Sequence, residues 1–169
     1  MQTRLIALMR EVYASRRKRT VLHVISKLAV LAAAAAFVYS CVLAFKKNPI
    51  YLLHPIYICA LPFIAVTVIR RVINAPRPYE LLDFYEEKPK NKSGRSFPSR
   101  HTFSIFSIGT LLAFQSPLLG ALLLTLGVML AVSRVLLGIH FPRDVIAGAA
   151  IGVLCSVVGV LISGIWHTV

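Results

Sequence analysis

Five apolar stretches divide this chain, and short polar or turn-forming segments separate them. A helix needs roughly 20 apolar residues to cross the hydrocarbon core of a bilayer, so stretches of this kind predict membrane spans. The third stretch is short because Gln115-Ser116-Pro117 breaks an apolar run that is too long for one crossing. The pattern predicts an all-α, polytopic transmembrane bundle of about five spans, with one membrane-embedded domain over residues 20–169. The expected spans are Val21–Phe45, Ile50–Ile69, Thr102–Phe114, Leu118–Leu137 and Val145–Trp166.

Residues 1–19 differ from the spans because their apolar and basic positions are interleaved. Leu5, Leu8, Met9 and Val12 recur at helical spacing, and a run of basic residues follows from position 16 to position 19. A helix with one apolar and one cationic face is typical of a segment that lies in the membrane interface. We therefore expect a basic amphipathic N-terminal helix that leads into the first span.

Composition and charge support a membrane protein. The hydrophobic fraction is 57% and the mean hydropathy is +0.76, which is unlike a soluble globular domain. The 19 Lys and Arg residues outnumber six Asp and Glu, a balance that would indicate nucleic-acid binding in a soluble protein. In a membrane protein such cations flank spans and contact anionic headgroups. Because no basic soluble domain remains outside the spans, we expect contact with membrane lipids and not with nucleic acid.

The cysteines and carboxylates give no indication of a metal site. Cys41, Cys59 and Cys155 all lie in apolar spans without metal-ligand spacing, so neither a disulfide framework nor a zinc site is expected. The sequence also offers no cluster of carboxylates of the kind that Mg²⁺ and Ca²⁺ require. The prediction is a protein without a metal or cofactor.

Counting the crossings assigns the polar segments to two membrane faces. The N-terminal segment, residues 70–100 and residues 138–144 fall on one face, while the Lys46–Pro49 turn, the Gln115–Pro117 turn and the C-terminus fall on the other. The N-terminal segment carries more Lys and Arg than the Lys46–Pro49 turn, so the positive-inside rule predicts a cytoplasmic location for its face. The polar segments that could carry catalytic or binding residues therefore share one face.

Asp144 is the only acidic residue after Glu87, and it stands at the start of an apolar helix four positions after His140. A carboxylate beside lipid is costly unless it has a partner. His140 is a potential nucleophile or general acid–base, and Asp144 can fix its tautomer and raise its basicity. By itself, Asp144 would also suit a helix cap.

Cationic and hydroxyl side chains at other helix ends are predicted on the same face. Arg70 and Arg77 follow the second span, and Arg134 precedes the last turn; guanidinium groups match phosphate oxygens in bidentate fashion. Pro98-Ser99-Arg100-His101 opens a helix, whose free backbone N–H groups and dipole favour a phosphate. Each residue has an ordinary structural alternative, such as a helix cap for the serine. Together, at three helix ends, they indicate an anion site.

The three segments resemble the tripartite signature of the type 2 phosphatidic acid phosphatases, or PAP2 family, membrane lipid phosphatases related to vanadium haloperoxidases. The family pattern is Lys-x6-Arg-Pro, then Pro-Ser-Gly-His, then Ser-Arg-x5-His-x3-Asp. The third segment matches at every fixed position, and the resemblance covers about residues 50–166. The corresponding segments are Arg70-x6-Arg77-Pro78, Pro98-Ser99-Arg100-His101 and Ser133-Arg134-x5-His140-x3-Asp144.

The resemblance implies a metal-independent lipid phosphatase of a bacterial cell membrane that works through a phosphohistidine. His140 would attack the phosphorus, Asp144 would orient it, and His101 would protonate the leaving oxygen and then activate water. The substrate would be a lipid phosphate or diphosphate, such as phosphatidic acid, phosphatidylglycerophosphate or a polyprenyl phosphate. The residues that would hold the phosphate are Arg70, Arg77, Ser99 and Arg134, with the backbone N–H of residue 100.

Two positions depart from the family pattern. Arg70 replaces the usual Lys, which keeps the charge and changes the geometry. Arg100 replaces the usual Gly, which keeps the backbone donor and adds a cation. We expect the Arg100 side chain either to reach a second anionic group of the substrate or to contact lipid headgroups.

Two other functions remain open from the sequence. A lipid phosphotransferase would use the same histidine to pass the phosphoryl group to an acceptor other than water. A non-catalytic protein that binds lipid phosphates would need only the basic residues. The intact His101, His140 and Asp144 favour an enzyme.

Overall fold

The computed structural model describes residues 2–85 and 93–164, and every regular element in these two ranges is helical. The 3-10 turn Pro49–Leu52 joins the second and third α-helices. The helices are α1 (Gln2–Ala14), α2 (Arg16–Lys47), α3 (Leu53–Ile73), α4 (Pro78–Leu81), α5 (Arg100–Gln115), α6 (Pro117–Leu136) and α7 (Pro142–Ser163).

Four helical stretches of the described residues are long and apolar enough to cross a membrane, as the predicted membrane protein requires. They are Arg16–Lys47, Pro49–Leu81, Pro117–Leu136 and Pro142–Ser163. Many of their large apolar side chains, such as Leu31, Leu61 and Ile162, are exposed, which suits contact with lipid. The expected third span corresponds to α5, which has 16 residues and is about 24 Å long at 1.5 Å per residue.

The short α5 forms the centre of the bundle and packs against α2, α3, α6 and α7. It approaches α7 closely, since a Cβ at Gly148 would lie 2.5 Å from the Ser99 carbonyl oxygen and one at Gly152 would lie 2.6 Å from that of Phe103. Glycine at both positions therefore allows the two backbones to touch. This contact fixes the start of α5 against the start of α7.

The N-terminal helix α1 lies at the same end of the bundle as the starts of α5 and α7. Tyr13 packs edge-on against Phe84 and Tyr85, with ring centroids 6.1 and 4.8 Å apart, and Met9 is buried. The segment divides at Ser15, whose side chain accepts a hydrogen bond from the Lys18 amide and caps α2. The basic residues expected at the end of the amphipathic helix thus form the first turn of α2.

The opposite end of the bundle holds the two remaining short turns. Gln115, at the end of α5, donates from Nε2 to the Ser40 carbonyl oxygen of α2 at 3.4 Å. The residues that follow, Ser116 and Pro117, begin α6. The polar segments found at each end of the bundle are those that the count of crossings assigns to one membrane face.

Candidate active site

His140 and Asp144 lie together, fully enclosed, at the end of the bundle where α6 gives way to α7. His140 is 2% exposed and Asp144 is 0% exposed. The distance from His140 Nδ1 to Asp144 Oδ2 is 3.7 Å, longer than a hydrogen bond. The Ser96 hydroxyl fills this gap, since its Oγ lies 3.3 Å from His140 Nδ1 and donates to Asp144 Oδ2. The three groups form a buried chain of polar contacts.

The turn between α6 and α7 brings the histidine to this position. The backbone amides of Ile139 and His140 both donate to the Arg134 carbonyl oxygen, at 3.0 and 3.2 Å. Gly138 has φ +68°, and a Cβ there would lie 2.1 Å from the Tyr85 hydroxyl. Only glycine fits this left-handed and crowded position.

Asp144 also caps the helix that it begins. Its Oδ2 accepts a hydrogen bond from the Phe141 amide at 2.9 Å, and Pro142 occupies the first turn of α7. One carboxylate oxygen thus contacts Ser96, caps the helix and lies beside His140. The capping contact is present in the structure, and the orienting role of Asp144 stays a prediction.

Arg70 is buried at the end of α3 and contacts the backbone of the segment before α5. Its Nη1 donates to the Ser96 carbonyl oxygen at 3.1 Å and to that of Pro98. A guanidinium that holds two carbonyl groups fixes the loop that carries Ser96. The arginine at this position therefore has a structural task that the sequence does not predict.

Arg77 and Arg134 both lie near the histidine turn and are partly buried. Arg77 donates from Nε to the Gly94 carbonyl oxygen at 3.0 Å. The Nε of Arg134 is enclosed and has no hydrogen-bond partner among residues 2–85 and 93–164. A buried donor without a partner is rare, and an anion bound beside His140 would supply one.

The start of α5 contributes Ser99, Arg100 and His101. Ser99 is fully buried, its Oγ accepts from Thr102 Oγ1 at 3.0 Å, and its amide donates to the Asp144 carbonyl oxygen at 2.9 Å. A hydroxyl that accepts one hydrogen bond still has its own proton to donate. His101 is exposed to an apolar cavity of about 320 Å³ and lies within electrostatic range of His140 and Arg134.

The environment of His140 favours a neutral imidazole. Burial lowers the pKa of His140 below its ordinary value, and Arg77 and Arg70 act in the same direction, while Asp144 opposes them. A neutral ring whose Nδ1 faces a hydroxyl and a carboxylate has its Nε2 lone pair free. That ring nitrogen is then suited to attack an electrophile.

The structure therefore gathers all the sequence-predicted residues at one end of the bundle and adds several more. Ser96 was missed because a single serine 44 positions before His140 gives no signal of contact with it. Tyr85 was missed as well; it covers Gly138, and burial raises the pKa of its hydroxyl to about 12. The Tyr79 amide donates to the Gly138 carbonyl oxygen at 3.1 Å, so two segments of the polar loop hold the histidine turn.

Comparison with known proteins identifies the fold and the family of this site. The family model described as the PAP2 superfamily matches residues 51–166, which include all three signature segments. The chain belongs to the PAP2 superfamily. The resemblance drawn from the three motifs is confirmed, and with it the coarse class of a membrane lipid phosphatase family.

Two solved structures share the fold over nearly the whole chain. The crystal structure of Aquifex aeolicus LpxE is similar with a TM-score of 0.69 and 24% identity, and the match covers 92% of this chain and 94% of that chain. The PAP2-type phosphatidylglycerolphosphate phosphatase of Bacillus subtilis is similar with a TM-score of 0.55 and 19% identity, covering 95% and 92%. At these identities the likeness concerns the fold.

A curated relative is similar over part of its length. The bacitracin transport permease protein BcrC of Bacillus licheniformis is 38% identical over 80 residues, which are 47% of this chain and 39% of that protein. The chain thus spans about two fifths of the curated relative that it matches.

Proposed function

We propose that this PAP2 protein hydrolyses the phosphate or diphosphate of a membrane lipid through a phosphohistidine on His140. The contact chain of His140, Ser96 and Asp144 carries the proposal, because it holds the imidazole in one tautomer. The neutral Nε2 is then directed away from the carboxylate as a nucleophile.

Four groups around His140 suit the charge of a phosphoryl group in transfer. The guanidinium groups of Arg77 and Arg134, the Ser99 hydroxyl and the backbone N–H groups at the start of α5 are the proposed donors. Fixed donors aimed at developing negative charge stabilise a transition state without reorganisation. Arg70 contributes its positive charge and holds the loop, and we propose no metal in this step.

His101 is the proposed general acid for the leaving oxygen. Burial and then Arg134 lower the pKa of His101 to about 4 in the free protein, so this role requires that the negative charge of the bound phosphate raise the pKa and protonate the ring. It borders the apolar cavity at the membrane-facing side of the site, together with Ala33, Ala34, Phe63 and Ile108. A lipid that extends its hydrocarbon along this cavity would present its phosphate ester to His101 and His140. After the lipid leaves, His101 would deprotonate the water that hydrolyses the phosphohistidine.

We further propose that the site faces the cytoplasm of a bacterial cell. The packing of Tyr13 against Phe84 and Tyr85 supports this side, because it joins the N-terminal helix to the active-site end of the bundle. The first turn of α2 adds the basic residues Arg16, Arg17, Lys18 and Arg19 to the same end, whereas the Lys46–Pro49 turn lies opposite. This distribution fits the positive-inside rule.

A panel of lipid phosphates in detergent tests the proposed function. The purified chain is expected to release inorganic phosphate from at least one of phosphatidic acid, phosphatidylglycerophosphate and polyprenyl phosphates, with EDTA present. Transfer of labelled phosphate to an alcohol acceptor, with none released as inorganic phosphate, would instead identify a phosphotransferase. Release from no lipid on the panel would contradict the proposal.

A further inference from the structure

The histidine turn between α6 and α7 is covered by one aromatic side chain of the polar loop, that of Tyr85. A Cβ at Gly138 would lie 2.1 Å from the Tyr85 hydroxyl oxygen and 2.4 Å from the Tyr85 Cζ, so the tip of the ring rests against the backbone of the turn. Tyr85 is 5% exposed. Because Gly138 stands two positions before His140, the ring supports the segment that carries the proposed nucleophile.

The turn depends on such support because Gly138 restricts its own backbone little. Glycine has no side chain to limit its dihedral angles, and Gly138 adopts φ +68°. Its amide donates to the Val135 carbonyl oxygen at 2.9 Å, and its carbonyl oxygen accepts from the Tyr79 amide at 3.1 Å. The Tyr85 ring adds a steric restraint to these two hydrogen bonds, since it blocks displacement of Gly138 in the direction of the missing Cβ.

The contact with the turn, and not a hydrogen bond, accounts for the position of the Tyr85 side chain. The hydroxyl oxygen is enclosed and has no hydrogen-bond partner within residues 2–85 and 93–164. Buried polar atoms nearly always have a partner, and leaving one without costs free energy. Burial raises the pKa of this hydroxyl to about 12, so it is neutral at pH 7. It fills the space beside the glycine.

Side chains of α1 and of the first turn of α2 hold the Tyr85 ring. The Tyr13 ring of α1 lies edge-on to it at 4.8 Å between centroids, and the Phe84 ring lies 4.4 Å from it. The guanidinium group of Arg19 lies 4.9 Å from the centre of the Tyr13 ring, and that of Arg10 lies 5.4 Å from the centre of the Phe84 ring. Contacts of these two kinds stabilise a defined geometry. The N-terminal helix is thus connected to the histidine turn through two tyrosines.

The two tyrosines lie outside the cavity in which a lipid substrate is proposed to extend. The apolar cavity beside Arg100 and His101 is lined by neither Tyr13 nor Tyr85. An effect of these rings on the reaction must therefore pass through the turn that carries His140. Such an effect can be large, because a displacement of about 1 Å in a reacting group can cost about a hundredfold in rate.

We propose that Tyr85 and Tyr13 are positioning residues for His140, so that the N-terminal helix α1 is part of the catalytic machinery. This inference rests on the proposed function. Tyr85 keeps Gly138 in place, and the turn then keeps His140 in line with the phosphorus that it attacks. Tyr13 keeps the Tyr85 ring against the turn. Because the rings do not bind the substrate, their loss lowers kcat and leaves KM nearly unchanged.

Substitutions at position 85 test the contact, with the lipid phosphate that the wild type hydrolyses fastest among phosphatidic acid, phosphatidylglycerophosphate and a polyprenyl phosphate. Tyr85→Ala is expected to lower kcat about ten- to hundredfold while KM stays within about twofold. Tyr85→Phe keeps the ring and loses only the unpaired hydroxyl, so it should retain kcat within about threefold of the wild type. Tyr51→Ala removes an edge-on contact with His54, at 5.4 Å between centroids, from the opposite end of the bundle and should leave kcat unchanged.

A double-mutant cycle tests whether α1 acts through Tyr85. Tyr13→Ala alone is expected to lower kcat about three- to tenfold, because the Tyr85 ring loses one of its two aromatic neighbours. Added to Tyr85→Ala, it should lower kcat by no more than about twofold further, since the contact is already absent once the ring is gone. The Tm of each variant in detergent shows that the protein is folded.

Four results would overturn the inference. Wild-type kcat in Tyr85→Ala, or an equal loss of kcat in Tyr51→Ala, would mean that turnover does not depend on this contact in particular. A raised KM at unchanged kcat would make Tyr85 a substrate-binding residue. Losses that multiply in the double variant would separate α1 from the histidine turn. Wild-type protein that releases no phosphate from any of the three lipids would refute the proposed function, which the other results leave intact.

Discussion

His140 Nδ1 and Asp144 Oδ2 lie 3.7 Å apart, and the Ser96 hydroxyl contacts both atoms. The two motif residues are therefore joined mainly through a third residue that the motif does not include. Ser96 is in turn held by Arg70, which donates to its carbonyl oxygen. The orientation of the proposed nucleophile thus depends on three separate helix ends.

Ser96→Ala tests this connection. Loss of the hydroxyl leaves a gap between the imidazole and the carboxylate, so we expect kcat to fall about ten- to hundredfold while KM changes little. The acid limb of the pH–rate profile should shift as well, which a purely structural role would not produce. Wild-type kcat with an unchanged profile would rule out Ser96 as a positioning residue.

The pH dependence of kcat/KM follows from the lowered pKa of His140. Because burial disfavours the imidazolium, the ring stays neutral at pH 7, and activity should be lost only as the pH falls below the ordinary histidine value of about 6.5. Asp144 raises the pKa of His140, so Asp144→Asn should move the acid limb to still lower pH.

The same variant separates the two roles of Asp144. Asp144 is the third residue of α7, and an asparagine side-chain oxygen there can still accept the hydrogen bond from the Phe141 amide, so thermal stability in detergent should stay close to wild type. We expect kcat to fall about a hundredfold or more, since an amide does not stabilise the positive charge that His140 acquires. A large loss of stability with little loss of kcat would assign Asp144 to capping alone.

Gly148→Ala tests the contact that aligns the starts of α5 and α7. A Cβ at this position would lie 2.5 Å from the Ser99 carbonyl oxygen, so the two backbones must separate at a cost of roughly 1–3 kcal/mol. We expect a lower Tm in detergent and reduced activity. Ala150→Leu enlarges an exposed position on the same helix and should change neither quantity. Unaltered Tm in Gly148→Ala would mean that α5 and α7 can move apart freely.

Cysteine labelling in intact cells tests the cytoplasmic site. In a background without the three native cysteines, Lys46→Cys should react with an impermeant thiol reagent, because it lies at the end of α2 opposite the site. Asp83→Cys, exposed in the polar loop at the site end, should react only after the membrane is permeabilised. The reverse pattern would place the active site outside the cell.

The sequence predicts the helices well, because they depend on local patterns. The turns at Lys46–Pro49 and Gln115–Pro117 interrupt the apolar stretches, and helices end at both places. The predicted phosphate ligands and His140 lie at one end of the bundle. The number of crossings between them determines which helix ends share a membrane face, and that number can be counted in the sequence. The end of the fifth predicted span, at Trp166, lies outside the described residues.

Contacts between distant segments could not be predicted in this way. The clamp of Arg70 on the Pro98 carbonyl and the approach of Ser96 to His140 depend on how a loop folds back. Arg71 and Arg95 appear in the sequence as ordinary flanking and loop cations, and only the tertiary fold places them in one pocket. The position of Tyr13 over Tyr85 likewise arises from packing between segments about seventy residues apart.

The central claim is a phosphoryl group carried by His140, and trapping that intermediate tests it most directly. Rapid denaturation during turnover of a lipid labelled with ³²P in the reacting phosphate should yield protein-bound label that is lost in acid and retained in base. His140→Ala should carry no such label and release no phosphate, while Arg17→Gln should be labelled as the wild type is. Full phosphate release by His140→Ala, or label that persists in it, would contradict the proposed mechanism.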